Sequence, residues 1–354
     1  MDRRTYLKTS LALGGSLLVP AGALSLAGCS GTARVPELAG FDGSIMGTTY
    51  SVRLGLSGAV PSGLAERTHA ALNAVDQQMS TWKTSSDVSR LNASDNTDWQ
   101  QMSAQTVAVI AKAVSTSAAS EAAFDVTVGP LIDLWGFGAG SSRAQAGKPG
   151  VKPDQSAIAA HLANVGSESI AVDLANSTVR KLKVNTEIDL SGIAKGHAVD
   201  QVAAVLDTQG VESYLIEVGG ELRSKGAKPD GSSWKVAIER PLAGQRDVFR
   251  VVSLQGKAIA TSGDYRNFFD DGGQRYSHSI DPRTGMPVSH ELASVSVVAD
   301  STMQADAFST AMMVMGPDEA MDFAETQKLA AHFILKSGSA LKEEYSRSFE
   351  SLLA

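Results

Sequence analysis

Apolar positions along this chain recur with two periods, and each period predicts a different element. Over 45–56, Met46, Tyr50, Val52, Leu54 and Leu56 share one parity, which predicts a half-buried strand. Over 64–79, Leu64, Ala71, Leu72, Val75 and Met79 fall on one helical face. Ser103 stands where it can cap a helix running to about 119, with Val107, Ile110, Ala111 and Val114 inward. Residues 169–183 read as a hairpin turning near Asn176. Val199, Val202, Ala203 and Leu206 predict a second amphipathic helix. Strands are expected at 213–218, 233–239, 250–261, 275–280 and 293–299, and a helix at 303–315. The stretch 124–138 reads as a strand and a loop anchored by buried aromatics, and 139–154 as a polar loop. Helices and strands mix without a regular βαβ alternation. That predicts an α+β fold, with mixed, largely antiparallel sheets and packed helices, rather than a doubly wound nucleotide fold.

The first forty residues follow neither period. Arg3 and Arg4 precede an apolar run at 11–26 that is broken by Gly14, Gly15, Pro20 and Gly22. Such a run suits a cleavable export signal better than a membrane span. Arg-Arg-x-aromatic-Leu-Lys resembles a twin-arginine signal. Leu26, Ala27, Gly28 and Cys29 resemble a bacterial lipobox, in which the cysteine is lipidated, although a chance run of small residues with cleavage elsewhere explains them too. Cys29 is the single cysteine of the chain, so it has no internal disulfide partner. The expected organisation is an export signal at 1–28, a tether at 29–40 and one folded domain at 41–354. The protein is expected to be lipid-anchored at the periplasmic face of a bacterial membrane.

Composition adds one exclusion. Apolar residues at 43% can form a core, and a net charge of -7 opposes a nucleic-acid partner.

Several segments carry candidate chemistry. Asp306, Ser309 and Thr310 are spaced i, i+3, i+4 on a predicted helix and offer three oxygens to a hard cation. A capped helix start with hydroxyls that merely pack explains them as well. The stretch 189–196, "DLSGIAKG", matches neither common nucleotide-loop pattern. Gly192 permits close backbone approach and can turn its carbonyl to a metal, Lys195 offers a point charge to phosphate, and Asp189 can accept from a ring N–H. A strand end followed by a helix explains the same residues. His278, in "SHSIDPRTGMPV", can take a proton from a hydroxyl, although Asp281 to Gly285 is a good turn sequence whatever its function. Trp82, Phe124, Trp135 and Phe137 can stack on a planar ring or fill a core.

The blocks "MGTTYSV" (46–52), "MSTWKTSSDVSRLN" (79–92), "FDVTVGPLIDLWGFG" (124–138), "DLSGIAKGHAVD" (189–200), "IEVGGELRSKG" (216–226), "IATSGDYRNFFDDGGQRYSHSIDPRTGMPV" (259–288) and "ADAFSTAMMVMG" (305–316) together resemble the ApbE-type FAD:protein FMN transferase family in order and spacing. The resemblance implies an ApbE-like, T-fold-related architecture with an FAD site in a central cleft. It implies Mg²⁺-dependent transfer of FMN from FAD to a threonine or serine hydroxyl of an acceptor flavoprotein subunit of a membrane redox complex, with release of AMP. It would put Met46, Trp82, Ala123, Phe124, Asp125, Asp189, Lys195 and Ile280 around FAD. Asp306, Thr310 and the Gly192 carbonyl would hold Mg²⁺, with Ser309 beside them where the family often has alanine. His278 would activate the acceptor hydroxyl. Trp82, His197 and Asp133 depart from the tyrosine, tyrosine and asparagine common there, and Trp82 bears on flavin stacking. Two other readings stay open: an FAD pyrophosphatase, and a non-enzymatic periplasmic FAD-binding lipoprotein.

Overall fold

Alternation along one strand sets the position of the central sheet. In β2 (Thr48–Ser57), Tyr50, Val52 and Leu54 are buried on one face, as the parity predicts. The protein is described by a computed structural model that covers residues 38–139, 152–242, 244 and 247–353. The expected signal, Cys29 and most of the 139–154 loop lie outside the described residues. β1 (Leu38–Ile45) pairs antiparallel with β2, so the last three residues of the expected tether belong to a strand. Met46 is not a strand residue either. It forms the two-residue hairpin loop with Gly47, at φ 51 and φ 72, the primed turn that matches strand twist.

The order of the large sheet is β1, β2, β6 (Tyr214–Val218), β7 (Glu221–Lys225), β10 (Ala258–Gly263), β15 (Leu292–Ala299), β16 (Ala330–Ser337) and β17 (Ala340–Tyr345). Every neighbouring pair is antiparallel. The class is therefore α+β, as the mixed pattern predicts. Between β2 and β6 the chain forms the helices α1 (Leu64–Met79), α2 (Asp87–Ala93), α3 (Ala104–Ala119), α4 (Gly129–Leu134), α5 (Gln155–Leu162) and α6 (Ala194–Thr208), with a small sheet of β3 (Gln100–Gln101), β5 (Thr178–Lys181) and β4 (Ile170–Asp173). Ser103 caps α3 by accepting from the Thr106 N–H, as expected. The 124–138 stretch differs. It makes a short 3-10 turn at Val126–Val128 and then α4, whose Pro130 sits in the first turn, where its missing N–H costs nothing.

Two apolar layers enclose the sheet. On one face α6 packs on β6 and β7, and α7 (Thr302–Met315) packs on β10 and β15. α8 (Pro317–Thr326) extends this layer over β16. The other face is covered by the hairpin β8 (Lys235–Glu239) and β9 (Val248–Ser253), and by the turn Arg347–Leu352. This explains why β15 is buried at almost every position: Val295 and Val297 face the helices, while Val298 faces the hairpin layer. The expected strand at 250–261 is two strands in different sheets. Gln255 and Gly256, at φ 47 and φ 84, break it. The expected 275–280 strand is likewise divided between β12 (Gln274–Ser277), which pairs with β11 (Phe268–Asp271), and β13 (Ile280–Asp281), which pairs with β14 (Met286–Pro287).

α6 and α7 cap one another. Asp200 of α6 accepts from the Thr302 N–H at 3.0 Å, the Thr302 hydroxyl at 2.9 Å and the Met303 N–H at 3.0 Å. Asp306 of α7 accepts from the Gly196 N–H at 2.9 Å. Each carboxylate satisfies first-turn donors that have no partner within their own helix. Asp200 also holds Arg223 of β7 at 2.6 Å. Asp200→Ala is therefore expected to destabilise the fold by about 1–3 kcal/mol, read as a lower urea midpoint. Lys225→Ala, which breaks a half-exposed pair with Asp207, should cost less than about 1 kcal/mol in the same measurement.

Candidate active site

β7 and β10 pair over two positions only, Arg223 with Ala258 and Leu222 with Ile259. β7 begins at Glu221, after the turn at Gly219 and Gly220, so residues 261–263 of β10 run on with β15 at one edge and no strand at the other among the described residues. A cleft of ≈ 1170 Å³ occupies this notch. Its walls include Glu221, Thr261, Ser262, Lys195, Asp306 and Thr310, with Trp82 and His278 also lining it.

Of the thirteen residues that the resemblance assigns to the site, twelve line this cleft: Met46, Trp82, Ala123, Phe124, Asp125, Asp189, Gly192, Lys195, His278, Ile280, Asp306 and Thr310. Ser309 does not. It is fully buried, and its hydroxyl donates to the Asp306 carbonyl at 3.0 Å and lies 2.9 Å from the Ser262 hydroxyl. Ser262 stands in its place at the cleft wall, 3.3 Å from the Thr310 hydroxyl.

Local backbone explains several placements. Met46 is carried on the hairpin turn, a left-handed conformation unusual for a long side chain. Glu121 and Ala122, at φ 50 and φ 62, turn the chain so that Ala123 and Phe124 enter the cleft wall. The Asp125 carboxylate is committed to the fold. It accepts from the Thr127 N–H and hydroxyl, the Ser167 N–H and the Ser117 hydroxyl. Asp189 accepts from the Ser191 N–H at 2.7 Å, a turn that leads the chain into Gly192. Trp82 is 64% exposed at the cleft, an aromatic face without cover. Trp135 is a core residue, buried completely, with its indole N–H on the Gly285 carbonyl. Phe137 lines the cleft edge-on to His278, at 6.3 Å between ring centres.

The charged centre is compact. Lys195 Nζ lies 2.5 Å from Glu221 Oε1 and 3.9 Å from Asp306 Oδ1. Burial opposes the Lys195 charge, but Asp306 and Glu221 outweigh it and raise its pKa above the ordinary lysine range. Burial pushes the Glu221 and Asp306 carboxyls up, and Lys195 holds both back. Burial lowers the His278 pKa, partly offset by its bond to Asn267, and the Lys195 charge lowers it further. His278 Nδ1 lies 3.1 Å from the Asn267 carbonyl, which can only accept, so Nδ1 carries the proton and Nε2 is the basic nitrogen.

The donor set suits a hard cation. Among the described residues no three acids, histidines or cysteines cluster to hold a metal. A cation here would rest on one carboxylate and neutral oxygens, a donor set compatible with Mg²⁺, since that ion keeps water or substrate phosphate in its shell. A Cβ at Gly192 would stand 3.2 Å from both the Thr310 hydroxyl and the Phe124 ring, so glycine leaves the backbone close to that oxygen. Asp306 uses Oδ2 on Gly196, while Oδ1 has the long Lys195 contact.

Glu221, Ser262 and Asp200 are absent from the residues that sequence reading selects. Glu221 and Ser262 lie inside recognised blocks, but no spacing marks them, because they meet the helix residues only through sheet pairing.

The cleft thus brings acids, an ammonium, hydroxyls, a histidine and aromatic side chains together. The sequence model of the ApbE family matches residues 46–333, and the chain belongs to that family. It is similar to the FAD:protein FMN transferase of Haemophilus influenzae, at 38% identity over 95% of this chain and 96% of the relative. The Vibrio cholerae FAD:protein FMN transferase is 39% identical, over 96% of this chain and 98% of its own. Among solved structures, the flavin transferase ApbE from Vibrio cholerae superposes with a TM-score of 0.80 at 39% identity, covering 90% of this chain and 99% of that one. The apo form of the Pseudomonas stutzeri flavinyl transferase ApbE gives 0.80 at 37% identity, covering 90% and 97%. The chain is an enzyme of this family.

Gly196 tests the geometry of the charged centre. A Cβ there would stand 2.4 Å from the Thr302 carbonyl oxygen and 2.8 Å from Asp306 Cβ. Gly196→Ala should force α6 from α7, destabilise by about 1–3 kcal/mol in thermal unfolding, and displace Asp306 in a crystal structure of the variant.

Proposed function

We propose that this protein transfers FMN from FAD to a threonine or serine hydroxyl of an acceptor flavoprotein, with Mg²⁺, and releases AMP. The observation that carries the reading is the convergence on one cleft of an ammonium, a carboxylate with neutral oxygens, a neutral histidine and an uncovered tryptophan. In the reaction the acceptor Oγ forms a bond to the FMN phosphorus, the P–O bond to AMP breaks, and AMP leaves with the bridging oxygen. His278 Nε2 takes the hydroxyl proton. Lys195 stabilises charge that builds on the phosphoryl oxygens. Asp306, Thr310 and the Gly192 carbonyl would hold Mg²⁺, which supplies Lewis-acid neutralisation of the pyrophosphate. Trp82 offers a stacking face to a planar ring. Ser262 completes the hydroxyl pair with Thr310, while Ser309 supports it from behind.

Water in place of the acceptor hydroxyl would make the same site an FAD pyrophosphatase. A carrier would bind FAD without turnover. Incubation with FAD, Mg²⁺ and an acceptor protein separates the three. The expected product is flavinylated acceptor with one AMP per flavin. Free FMN without labelled acceptor would support the pyrophosphatase instead. Asp306→Ala should abolish turnover, whereas a carrier would lose nothing. His278→Ala should lower the transfer rate by about 10²–10⁴-fold. Because the His278 pKa is lowered, its basic form is already present at neutral pH. Transfer should be flat through neutrality and fall as the pH drops below about 6.5, and this acid limb should vanish in His278→Ala.

The acceptor is proposed to be a flavoprotein subunit of a membrane redox complex. The enzyme is proposed to be exported through its signal at 1–28 and lipid-anchored through Cys29 on the periplasmic face. In support, the chain carries a lipobox-like sequence and one cysteine. Cys29→Ser should move the protein from the membrane to the soluble fraction after cell lysis. Retention in the membrane would overturn the anchor.

A further inference from the structure

Glu221 is 3% exposed, lines the cleft, and has one carboxylate oxygen, Oε2, buried without a hydrogen-bond partner. Its other oxygen is the nearest acid to the Lys195 ammonium, at 2.5 Å against 3.9 Å for Asp306 Oδ1. An isolated buried carboxylate is costly, and the pairing with Lys195 is the charge contact that offsets this cost most directly. The pairing has a geometric effect. Lys195 is in the first turn of α6, one residue before the Gly196 N–H that Asp306 accepts, so a lysine released from Glu221 has Asp306 as its remaining buried acid partner. Closing 3.9 Å to contact would place an ammonium on Asp306, where it competes with a divalent cation for the same oxygen.

We infer that Glu221 is a positioning residue whose role is to hold Lys195 off Asp306, keeping that carboxylate open to a cation while the ammonium stays in the cleft. The inference rests on Asp306 as the cation ligand proposed above. It assigns Glu221 no contact with the cation or with the reacting atoms. It makes Lys195 an internal competitor whenever Glu221 is lost.

The test is a titration of the full-length protein with Mn²⁺ alone, the free ion being counted by electron paramagnetic resonance. Glu221→Gln keeps the shape of the side chain and removes its charge. It should weaken Mn²⁺ binding by about 10–100-fold. Adding Lys195→Met to Glu221→Gln should restore affinity to at least the wild-type level, because the competitor is gone. Damage to the fold, or direct ligation by Glu221, would leave the double variant as weak as Glu221→Gln, and either would overturn the proposal. Unchanged binding in Glu221→Gln would overturn it too. Asp306→Ala in parallel separates the two levels. Loss of Mn²⁺ binding there, with Glu221→Gln unaffected, removes the positioning role alone. Wild-type protein that binds no Mn²⁺, or whose binding survives Asp306→Ala, removes the cation reading on which it rests.

Discussion

The mutual capping of α6 and α7 is the constraint on which the rest of the structure depends. Two helix starts meet closely enough for Asp200 and Asp306 each to satisfy N–H groups of the other helix. That approach is possible only because residue 196 has no side chain. One contact therefore fixes three things: the packing of the helix layer on the central strands, the direction of the Asp306 carboxylate, and the entry of Lys195 into the cleft. A carboxylate that caps one helix from another cannot be moved without loosening both. Precision at the candidate site and stability of the helix pair are the same property here.

The sheet contributes the opening. Eight strands in unbroken pairing would leave no room between Lys195 and the hairpin layer. The short β7 supplies the room and delivers Glu221 to the place where β10 runs on with β15 as its one partner strand among the described residues. Charge then accumulates at the cleft wall: the Lys195 ammonium holds both carboxyls back, and the two acids together raise the proton affinity of the lysine. Such a cluster is unfavourable for folding unless its members are paired, and clusters of this kind recur at functional sites.

Local signals in the sequence were legible where period, cap and turn agreed. α1 and α3 begin and end where their apolar faces and Ser103 place them, and β4 and β5 turn at Asn176. Reading failed where a turn hid inside an apolar run. Met46 counts with the parity of β2 but is the loop before it, and Gln255 interrupts what looks like one long strand. The 124–138 stretch has β-forming residues but folds as a turn and a short helix, since Asp125 and Pro130 favour helical starts. The candidate site was legible as a set of blocks, and twelve of its residues converge. The exception is instructive. Spacing puts Asp306, Ser309 and Thr310 on one helical face, yet that face is wide enough for Ser309 to turn toward β10 while its neighbours line the cleft. Glu221 and Ser262 depend on non-local pairing that no short pattern encodes.

Unpaired strand edges usually invite other chains to join a sheet. The outermost strands here differ in how they discourage this: β17 carries Lys342, Glu343 and Glu344, while β1 is interrupted by Gly40 and Gly43. The open edge of β10 needs neither device, because it lies inside a cleft instead of at the rim of the sheet. The hydrogen-bonding groups that would be an aggregation hazard on the outside are, in the notch, sheltered by shape alone.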